Sequence, residues 1–147
     1  MKTIRAREWM TRNPITVTSK TTLPDAHKLM TEKKIRRLPV VDNGKLVGII
    51  TRGDVRGAEP SGATTLSIYE LHYPLSKLTV GEIMTKHPMT VFPETPVYEA
   101  AQLMLQHKVA GLPVVDDGRV VGILTESDIF RMVVKLWEQE PAQKVAA

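Results

Sequence analysis

The pattern of hydrophobic and polar positions along this chain predicts the same order of structural elements in each half. Ile15–Val17 predicts a short strand, and Leu23, Ala26, Leu29 and Met30 follow at the spacing of a helix with one buried face. In the second half Val97, Ala100, Leu103 and Met104 repeat that helical pattern. Each half therefore begins with a strand and an amphipathic helix.

Two strands and a second helix complete each half. Leu38–Val41 and Lys45–Ile50 predict strands joined by a tight turn, because the Asn-Gly pair between them tolerates positive φ. An Asp-Gly pair takes that place in the second half. A Thr-x-x-Asp sequence then predicts the start of a helix, at Thr51 and again at Thr125. We call Thr51–Asp54 the first TxxD turn and Thr125–Asp128 the second TxxD turn.

A shift of 74 residues aligns Met10–Val55 with Met84–Ile129 without a gap, and 21 of the 46 pairs are identical. Agreement over that length indicates a duplicated unit. A single unit leaves one face of its three-stranded sheet uncovered, so we expect two copies to pack together and bury that face. The predicted fold is an α/β protein of two β-α-β-β-α units packed sheet to sheet with pseudo-twofold symmetry, with equivalent clefts at the seam.

The repeat also predicts the domain boundaries. The first domain is expected at residues 1–57, with its core at 10–57, and the second at 80–140, with its core at 84–138. Residues 58–79 form the predicted linker, in which Ser67-Ile-Tyr-Glu70 is typical of a helix start and Pro74 of a kink. Residues 141–147 are expected to be a frayed tail.

Composition narrows the class of protein. The chain has 147 residues, 42% of them hydrophobic and 24% charged, which is typical of a globular protein. It has no cysteine and no apolar run of the length that spans a bilayer, so we expect a soluble, cytoplasmic protein. The net charge of +4 suggests an anionic partner. The four histidines show no metal-ligand spacing, and no catalytic residue or metal site is predicted.

The TxxD turns are the candidate binding sites, and they have two interpretations. Free backbone N–H groups and the helix dipole favour an anion there, and an Asp carboxylate suits a ribose diol. The alternative is that Thr-x-x-Asp only caps the helix that follows.

The basic run before the second strand also has two interpretations. Lys33, Lys34, Arg36 and Arg37 suit the solvated end of a helix, whereas Arg36 and Arg37 are also suited to hold a phosphate.

The motifs resemble a known family. Met-Thr-x-x-Pro-x-Thr-Val, Leu-Pro-Val-Val-Asp, and Gly-x-Val-Gly-Ile leading into Thr-x-x-Asp are similar to the cystathionine-β-synthase (CBS) domain. Two tandem copies resemble the pair called a Bateman module. The segment at residues 60–78 resembles CBS pairs of the acetoin-utilisation type. Some of those carry an additional C-terminal domain, which is not expected in this chain.

The resemblance implies a set of ligand-binding residues. Thr51 and Asp54, and in the second copy Thr125 and Asp128, are expected to hold ribose hydroxyls. The residues expected to line the base and its surroundings are Thr16, Ile35, Arg36, Arg37, Leu38 and Pro39 in the first copy, and Thr90, Val109, Ala110, Gly111, Leu112 and Pro113 in the second. The candidate phosphate contacts are Arg36, Arg37, Arg52, Lys86, His87 and Arg131. Because Ala110 and Gly111 replace the two arginines, the second site is expected to bind phosphate strongly only if Lys86, His87 or Arg131 supplies the charge.

The function implied is regulatory rather than enzymatic. An adenosine-containing ligand (AMP, ADP or ATP, or alternatively NAD or S-adenosylmethionine) is expected in the clefts and is not a catalytic cofactor. The chain is expected to form a homodimer through helical faces and to act on an unidentified regulated protein. One alternative is a ligand-free oligomerisation scaffold. The other is a nucleic-acid-binding protein, which 5% aromatic residues and the lack of an Arg-rich recognition helix disfavour.

Overall fold

The computed structural model describes residues 2–58 and 77–140. The elements of the first half are Ala6–Trp9 (α1), Thr11–Arg12 (β1), Leu23–Lys33 (α2), Arg37–Asp42 (β2), Lys45–Thr51 (β3) and Arg52–Ala58 (α3). The elements of the second half are Val80–Ile83 (α4), Thr85–Lys86 (β4), Val97–His107 (α5), Gly111–Asp116 (β5), Arg119–Thr125 (β6) and Glu126–Glu138 (α6). The fold is α/β, with two three-stranded sheets.

The two compact units do not follow the two sequence repeats. Unit 1 comprises Met1–Asn13, Met89–Asp117 and Val121–Ala147, and unit 2 comprises Pro14–Pro88 and Gly118–Val120. The sheet of unit 1 has the order β1-β6-β5, and that of unit 2 has the order β2-β3-β4. The predicted boundaries assign residues 1–13 to the first repeat, whereas in the structure they complete the unit built from the second repeat. Residues 80–88 do the same for the first repeat.

The edge strand of each sheet explains this exchange. In unit 1 Thr11 pairs antiparallel with Ile123, and in unit 2 Thr85 pairs antiparallel with Ile49. The predicted strand at Ile15–Val17 is wrong, because only Val17 forms a bridge there, to Val40. The expected three-stranded sheet is therefore present in each unit, but its third strand comes from the start of the other repeat.

The remaining predicted elements are confirmed within the described residues. The hairpin turns have positive φ, at 52° and 79° for Asn43 and Gly44, as a two-residue turn of this kind requires. Helix α2 begins after Thr22, whose hydroxyl accepts a hydrogen bond from the Asp25 N–H, and ends at Lys34 in the left-handed conformation. The predicted closing helix is α6, which ends at Glu138. The predicted linker helix and the tail at residues 141–147 lie largely outside the described residues.

A methionine and a glycine pack together where the edge strand joins each sheet. A Cβ atom on Gly122 would lie 2.6 Å from the Met10 sulfur and 3.0 Å from the Thr11 carbonyl oxygen. In unit 2 a Cβ atom on Gly48 would meet Met84 and would lie 2.9 Å from the Thr85 carbonyl oxygen. Glycine is needed at both positions because the edge strand approaches the central strand so closely.

Each unit has its own hydrophobic core. The fully buried residues of unit 2 include Leu38, Val40 and Ile50, and those of unit 1 include Val114 and Leu124. These residues lie on the two hairpins that carry the TxxD turns. The cores therefore fix the strand ends from which both turns project.

Candidate functional site: two TxxD turns

The first TxxD turn is a reciprocal helix cap. The Thr51 N–H donates a hydrogen bond to Asp54 Oδ2 at 2.8 Å, and the Asp54 N–H donates one to Thr51 Oγ1 at 3.1 Å. The two bonds satisfy backbone donors that the start of α3 leaves without an intrahelical partner. The capping role that the sequence allowed is therefore present. It uses only one of the two carboxylate oxygens of Asp54.

Three arginines lie within or next to the first TxxD turn. Arg37 lies directly opposite Thr51 in the β2–β3 register, and the Arg52 N–H donates a hydrogen bond to the Arg36 carbonyl oxygen at 2.7 Å. The side chains of Arg36 and Arg52 are exposed, and that of Arg37 is half-buried. The backbone thus brings three arginine positions to the turn that contains the half-buried Asp54.

The predicted base-lining residues of the first repeat lie on the same edge of unit 2. The Val17 N–H donates to the Pro39 carbonyl oxygen at 3.1 Å, which places the adjacent Thr16 beside β2. Ile35 is half-buried, and Thr16 is exposed. The side chain of Leu38 is fully buried in the core, so only its backbone is available to a ligand.

The second TxxD turn has the same cap. The Thr125 N–H donates to Asp128 Oδ2 at 2.8 Å, and the Thr125 hydroxyl donates to the same oxygen at 3.0 Å. The Asp128 N–H donates in turn to Thr125 Oγ1 at 3.4 Å. Asp128 is only 2% exposed, and it is the one buried charged residue among the described residues.

The other carboxylate oxygen of Asp128 is also occupied. Asp128 Oδ1 accepts a hydrogen bond from the Thr11 hydroxyl at 3.2 Å and one from Arg131 Nη2 at 2.5 Å. Thr11 reaches this oxygen because β1 is the edge strand of the unit 1 sheet. Sequence reasoning missed the role of Thr11, although the repeated Met-Thr pair at residues 10–11 and 84–85 was a signal for it.

The remaining predicted residues of the second site are backbone neighbours of this turn. The Glu126 N–H donates to the Ala110 carbonyl oxygen at 3.0 Å, and the Val91 N–H donates to the Pro113 carbonyl oxygen at 3.0 Å. The second of these bonds places Thr90, which is half-buried, beside β5. The exposures of the others differ: Val109 is exposed, Ala110 is half-buried, and Gly111, Leu112 and Pro113 are buried.

Of the three residues that the sequence offered as cations for the second site, the structure places Arg131 at the second TxxD turn. Lys86 and His87 belong to unit 2, where Lys86 pairs with Gly48 of β3 and both side chains are exposed. Arg131 lies on α6 and contacts Asp128 directly. Within unit 1 the cation at the second turn is therefore on the helix, whereas within unit 2 the arginines at the first turn lie at the start of β2 and of α3.

Two grooves in unit 1 lie apart from the TxxD turns. One, of about 800 Å³, is lined by residues that include Trp9, Val133, Leu136 and Trp137. The other, of about 400 Å³, is lined by residues that include Tyr98 and Met132. Neither is lined by a residue of a TxxD turn, so these cavities do not identify the ligand site.

Within residues 2–58 and 77–140, no group of three or more His, Asp or Glu side chains is arranged to hold a metal ion. In the same part of the chain, no helix has the length and apolar character needed to cross a membrane.

Comparison with known proteins identifies the family. The CBS domain profile matches residues 6–61 and again residues 80–135. A CBS domain-containing protein of Dictyostelium discoideum is 38% identical over 142 residues, which cover 95% of this chain and 98% of the relative. The chain also matches larger enzymes, such as the inosine-5'-monophosphate dehydrogenase of Korarchaeum cryptofilum, at 39% identity over 86% of this chain, but it spans only 24% of that enzyme's length.

Solved CBS pairs have the same fold. A Vibrio cholerae protein named for acetoin utilization has a TM-score of 0.79 and 33% identity, covering 94% of this chain and 97% of its own. The protein CBSX2 in complex with AMP has a TM-score of 0.77 and 34% identity, with coverage of 90% and 98%. The CBS domain pair of the protein MJ0100, in complex with 5'-methylthioadenosine and S-adenosyl-L-methionine, has a TM-score of 0.76 and 34% identity, with coverage of 92% and 99%.

Proposed function

Because the chain belongs to the CBS-domain family, we propose that it is a regulatory module that binds an adenosine-containing ligand at its TxxD turns. The observation that carries the proposal is the first TxxD turn. There Asp54 Oδ1 accepts no hydrogen bond within the described residues, and the carboxylate is half-buried beside three arginines. An open carboxylate oxygen suits a ribose diol, and the neighbouring arginines suit a phosphate.

The solved relatives support the choice of ligand class. CBSX2 was solved with AMP, and the MJ0100 pair with 5'-methylthioadenosine and S-adenosyl-L-methionine. The adenosine portion, with its base and sugar, is what these compounds have in common. We therefore assign recognition of the sugar to Asp54 and Thr51, and recognition of the base to the backbone around Pro39 with Thr16 and Ile35. Phosphate contacts from Arg36, Arg37 and Arg52 add affinity for AMP, ADP or ATP.

The ligand acts by shifting a conformational equilibrium. A bound nucleotide changes the population of two arrangements of the protein only as far as it binds one more tightly than the other. Typical coupling energies are about 1–3 kcal/mol, which is enough to change the affinity for a regulated protein about 5- to 150-fold. The proposed role is not enzymatic, and the cytoplasmic location and the regulated partner remain predictions.

A homodimer is the second part of the proposal. Phe130, Val133, Val134 and Trp137 recur on α6 at the spacing of one helical face, and each is 43–66% exposed. An exposed apolar face of this kind is typical of a protein interface. A twofold dimer buries the same face on both copies. Sedimentation analysis of Val134→Glu is expected to show a monomer where the unsubstituted protein is a dimer, and a dimer that persists would exclude α6 from the interface.

The scaffold alternative keeps one observation in its favour. Both TxxD turns are complete reciprocal caps, and at the second turn each carboxylate oxygen of Asp128 already has donors. A protein that uses these residues only for capping would show the same bonds. The two functions are separated by ligand binding, because a cap contributes stability without any dependence on nucleotide.

Calorimetric titration with adenosine, AMP, ADP, ATP, NAD and S-adenosylmethionine tests the proposal. We expect at least one of them to bind saturably, and Asp54→Ala together with Asp128→Ala to abolish the binding. Each substitution also removes a cap, which is expected to cost about 1 kcal/mol of folding free energy at Asp54 and more at Asp128, whose carboxylate accepts from four donors. The matched control is Thr22→Ala, which removes the cap of α2, a helix that follows neither TxxD turn, and is expected to leave binding intact. Absence of saturable binding, or binding unaffected by the double substitution, would favour the scaffold.

A further inference from the structure

The two aspartates differ in how many of their acceptor positions are already used. A carboxylate offers roughly four lone-pair positions to hydrogen-bond donors. Asp128 accepts from the Thr125 N–H and hydroxyl on Oδ2, and from Thr11 and Arg131 on Oδ1. Asp54 accepts only from the Thr51 N–H within the described residues. Within the described residues Asp54 therefore keeps Oδ1 for a diol, whereas a diol binds Asp128 only by displacing a donor.

Arg131 is the donor that a ligand displaces most readily. The backbone N–H of Thr125 is fixed by the cap, and Thr11 is held in the unit 1 sheet by its pairing with Ile123. The Arg131 side chain is 61% exposed, whereas that of Asp128 is 3% exposed. Its flexible side chain can move from the carboxylate into solvent without disturbing the sheet or the cap.

Displacing Arg131 has a different consequence for different ligands. A neutral nucleoside takes the Asp128 oxygen but leaves the guanidinium without an anion, so a charge-assisted hydrogen bond is lost. A ligand with both a diol and a phosphate gives each member of the ion pair a new partner. Its hydroxyl bonds to Asp128, and its phosphate bonds to Arg131. The guanidinium fork matches phosphate geometry as well as carboxylate geometry.

We propose that Arg131 is the specificity-determining residue of the second TxxD turn, where it selects a phosphorylated adenosine ligand over a neutral nucleoside. This inference rests on the proposed function and adds the ligand class of one site. The residue that corresponds to Arg131 in the first repeat is Gly57, which has no side chain to pair with Asp54. The first turn therefore accepts adenosine as well as AMP, and its arginines add affinity for phosphate.

The experiment measures the binding of adenosine and of AMP to Asp54→Ala protein by calorimetry. In this variant only the second turn is expected to contribute to the measured binding. AMP is expected to bind at least about tenfold more tightly than adenosine, since a hydrogen bond to a charged group typically changes affinity by that factor or more. Adding Arg131→Met is expected to weaken AMP and strengthen adenosine, so that the ratio falls to within about threefold. Arg131→Lys keeps the charge and is expected to retain part of the preference for AMP.

Each outcome decides the inference. It is overturned if adenosine binds Asp54→Ala protein as tightly as AMP, or if Arg131→Met leaves the ratio unchanged. It is also overturned if Asp54→Ala protein binds neither probe while unsubstituted protein binds them, in which case the proposed function stands at the first turn alone. If unsubstituted protein binds no adenosine compound, the proposed function itself fails. Thermal unfolding of the Arg131 variants checks that the fold is intact, and the Lys variant provides the decision if the Met variant is unstable.

Discussion

The two TxxD turns share their defining residues and their cap geometry, yet they offer different surfaces to a ligand. The backbone N–H of the threonine lies 2.8 Å from the aspartate Oδ2 in both turns. The difference is made by residues outside the motif, because Thr11 and Arg131 occupy Asp128, whereas the structure records no hydrogen bond to Asp54 from Thr85, the counterpart of Thr11. A motif therefore specifies the cap, and its neighbours decide whether the carboxylate is free to bind.

The charge around the turns differs in the same way. Arg36, Arg37 and Arg52 accompany the first turn, and Ala110, Gly111 and Glu126 stand at the corresponding positions of the second. The sequence predicts that the second site is the less basic one, and it names Arg131 as one of three residues that could supply the missing charge. The structure brings Arg131 to the carboxylate itself, so its charge is in place but already paired.

The largest predicted effect is a loss of folding stability at a feature that both units share. This feature is the close approach of the exchanged edge strand to the central strand that leads into each TxxD turn. Gly48→Ala and Gly122→Ala each place a methyl group against a methionine and against a backbone carbonyl oxygen, at 2.9 Å and 3.0 Å respectively. Overpacking of this kind typically costs about 1–3 kcal/mol. Urea unfolding should show a loss of that size for each variant, because the close approach is present in both units.

Gly57→Ala is the control for those two substitutions. A Cβ atom on Gly57 meets nothing within 4 Å, and the residue lies in α3. Alanine is expected to stabilise the helix there by about 0.5–1 kcal/mol, because it loses less backbone entropy than glycine. A Gly48 or Gly122 variant as stable as Gly57→Ala would show that the edge strands do not pack as described.

The second prediction concerns a substitution that gives the first turn the ion pair of the second turn. Gly57→Arg places a guanidinium three residues after Asp54, in the same relation as Arg131 to Asp128. If the pair controls access to the carboxylate, adenosine affinity at the first turn should fall about tenfold, while AMP affinity should fall less. Calorimetry in an Asp128→Ala background measures the first turn alone.

Gly57→Met is the matched variant, because it adds a long side chain without a charge. It should leave the ratio of AMP affinity to adenosine affinity unchanged. An equal change of that ratio in the Met and Arg variants would assign the effect to steric blocking rather than to the ion pair.

The third prediction compares the threonines of the two edge strands, Thr11 and Thr85. Thr11→Val removes the hydroxyl that donates to Asp128 Oδ1 at 3.2 Å and keeps a β-branched side chain in the strand. The expected loss of folding free energy is about 1 kcal/mol, typical of one hydrogen bond. Thr85→Val should cost close to nothing, because no hydrogen bond from Thr85 to Asp54 is recorded in the described part of unit 2. Equal losses in the two variants would contradict the asymmetry.

These comparisons show what the sequence was able to predict. The helices, hairpins and caps depend on local periodicity and on turn residues such as Asn43 and Gly44, so they were predictable. The exchange of edge strands was not, because β1 and β4 have two residues each and show no alternation. The contact between Thr11 and Asp128 was not predictable in its geometry, since Thr11 lies 117 residues away in the chain and reaches Asp128 only through that exchange, although the repeated Met-Thr pair marked the residue.

The smallest predicted effect comes from a difference at the start of each repeat. The Ser19 N–H donates to Asp42 Oδ1 at 3.0 Å, and in the second repeat Pro93, which has no N–H, stands in the place of Ser19. Hydrogen bonds from the Ser19 side chain and backbone lower the pKa of Asp42, because they favour its charged form.

Ser19→Pro should therefore raise the pKa of Asp42 toward its ordinary value of about 3.9, as followed by NMR titration of the carboxyl group. A lowered pKa in the folded state means that the contribution of Asp42 to stability is present above the unfolded-state pKa and is lost as the pH falls through the folded-state pKa. The free energies of unfolding of the unsubstituted and Ser19→Pro proteins should thus differ near neutral pH and converge in acid. The difference is small because Asp42 is only half-buried and solvent screens its carboxylate. A difference that persists unchanged in acid would show that proline acts on the backbone of the turn and not through Asp42.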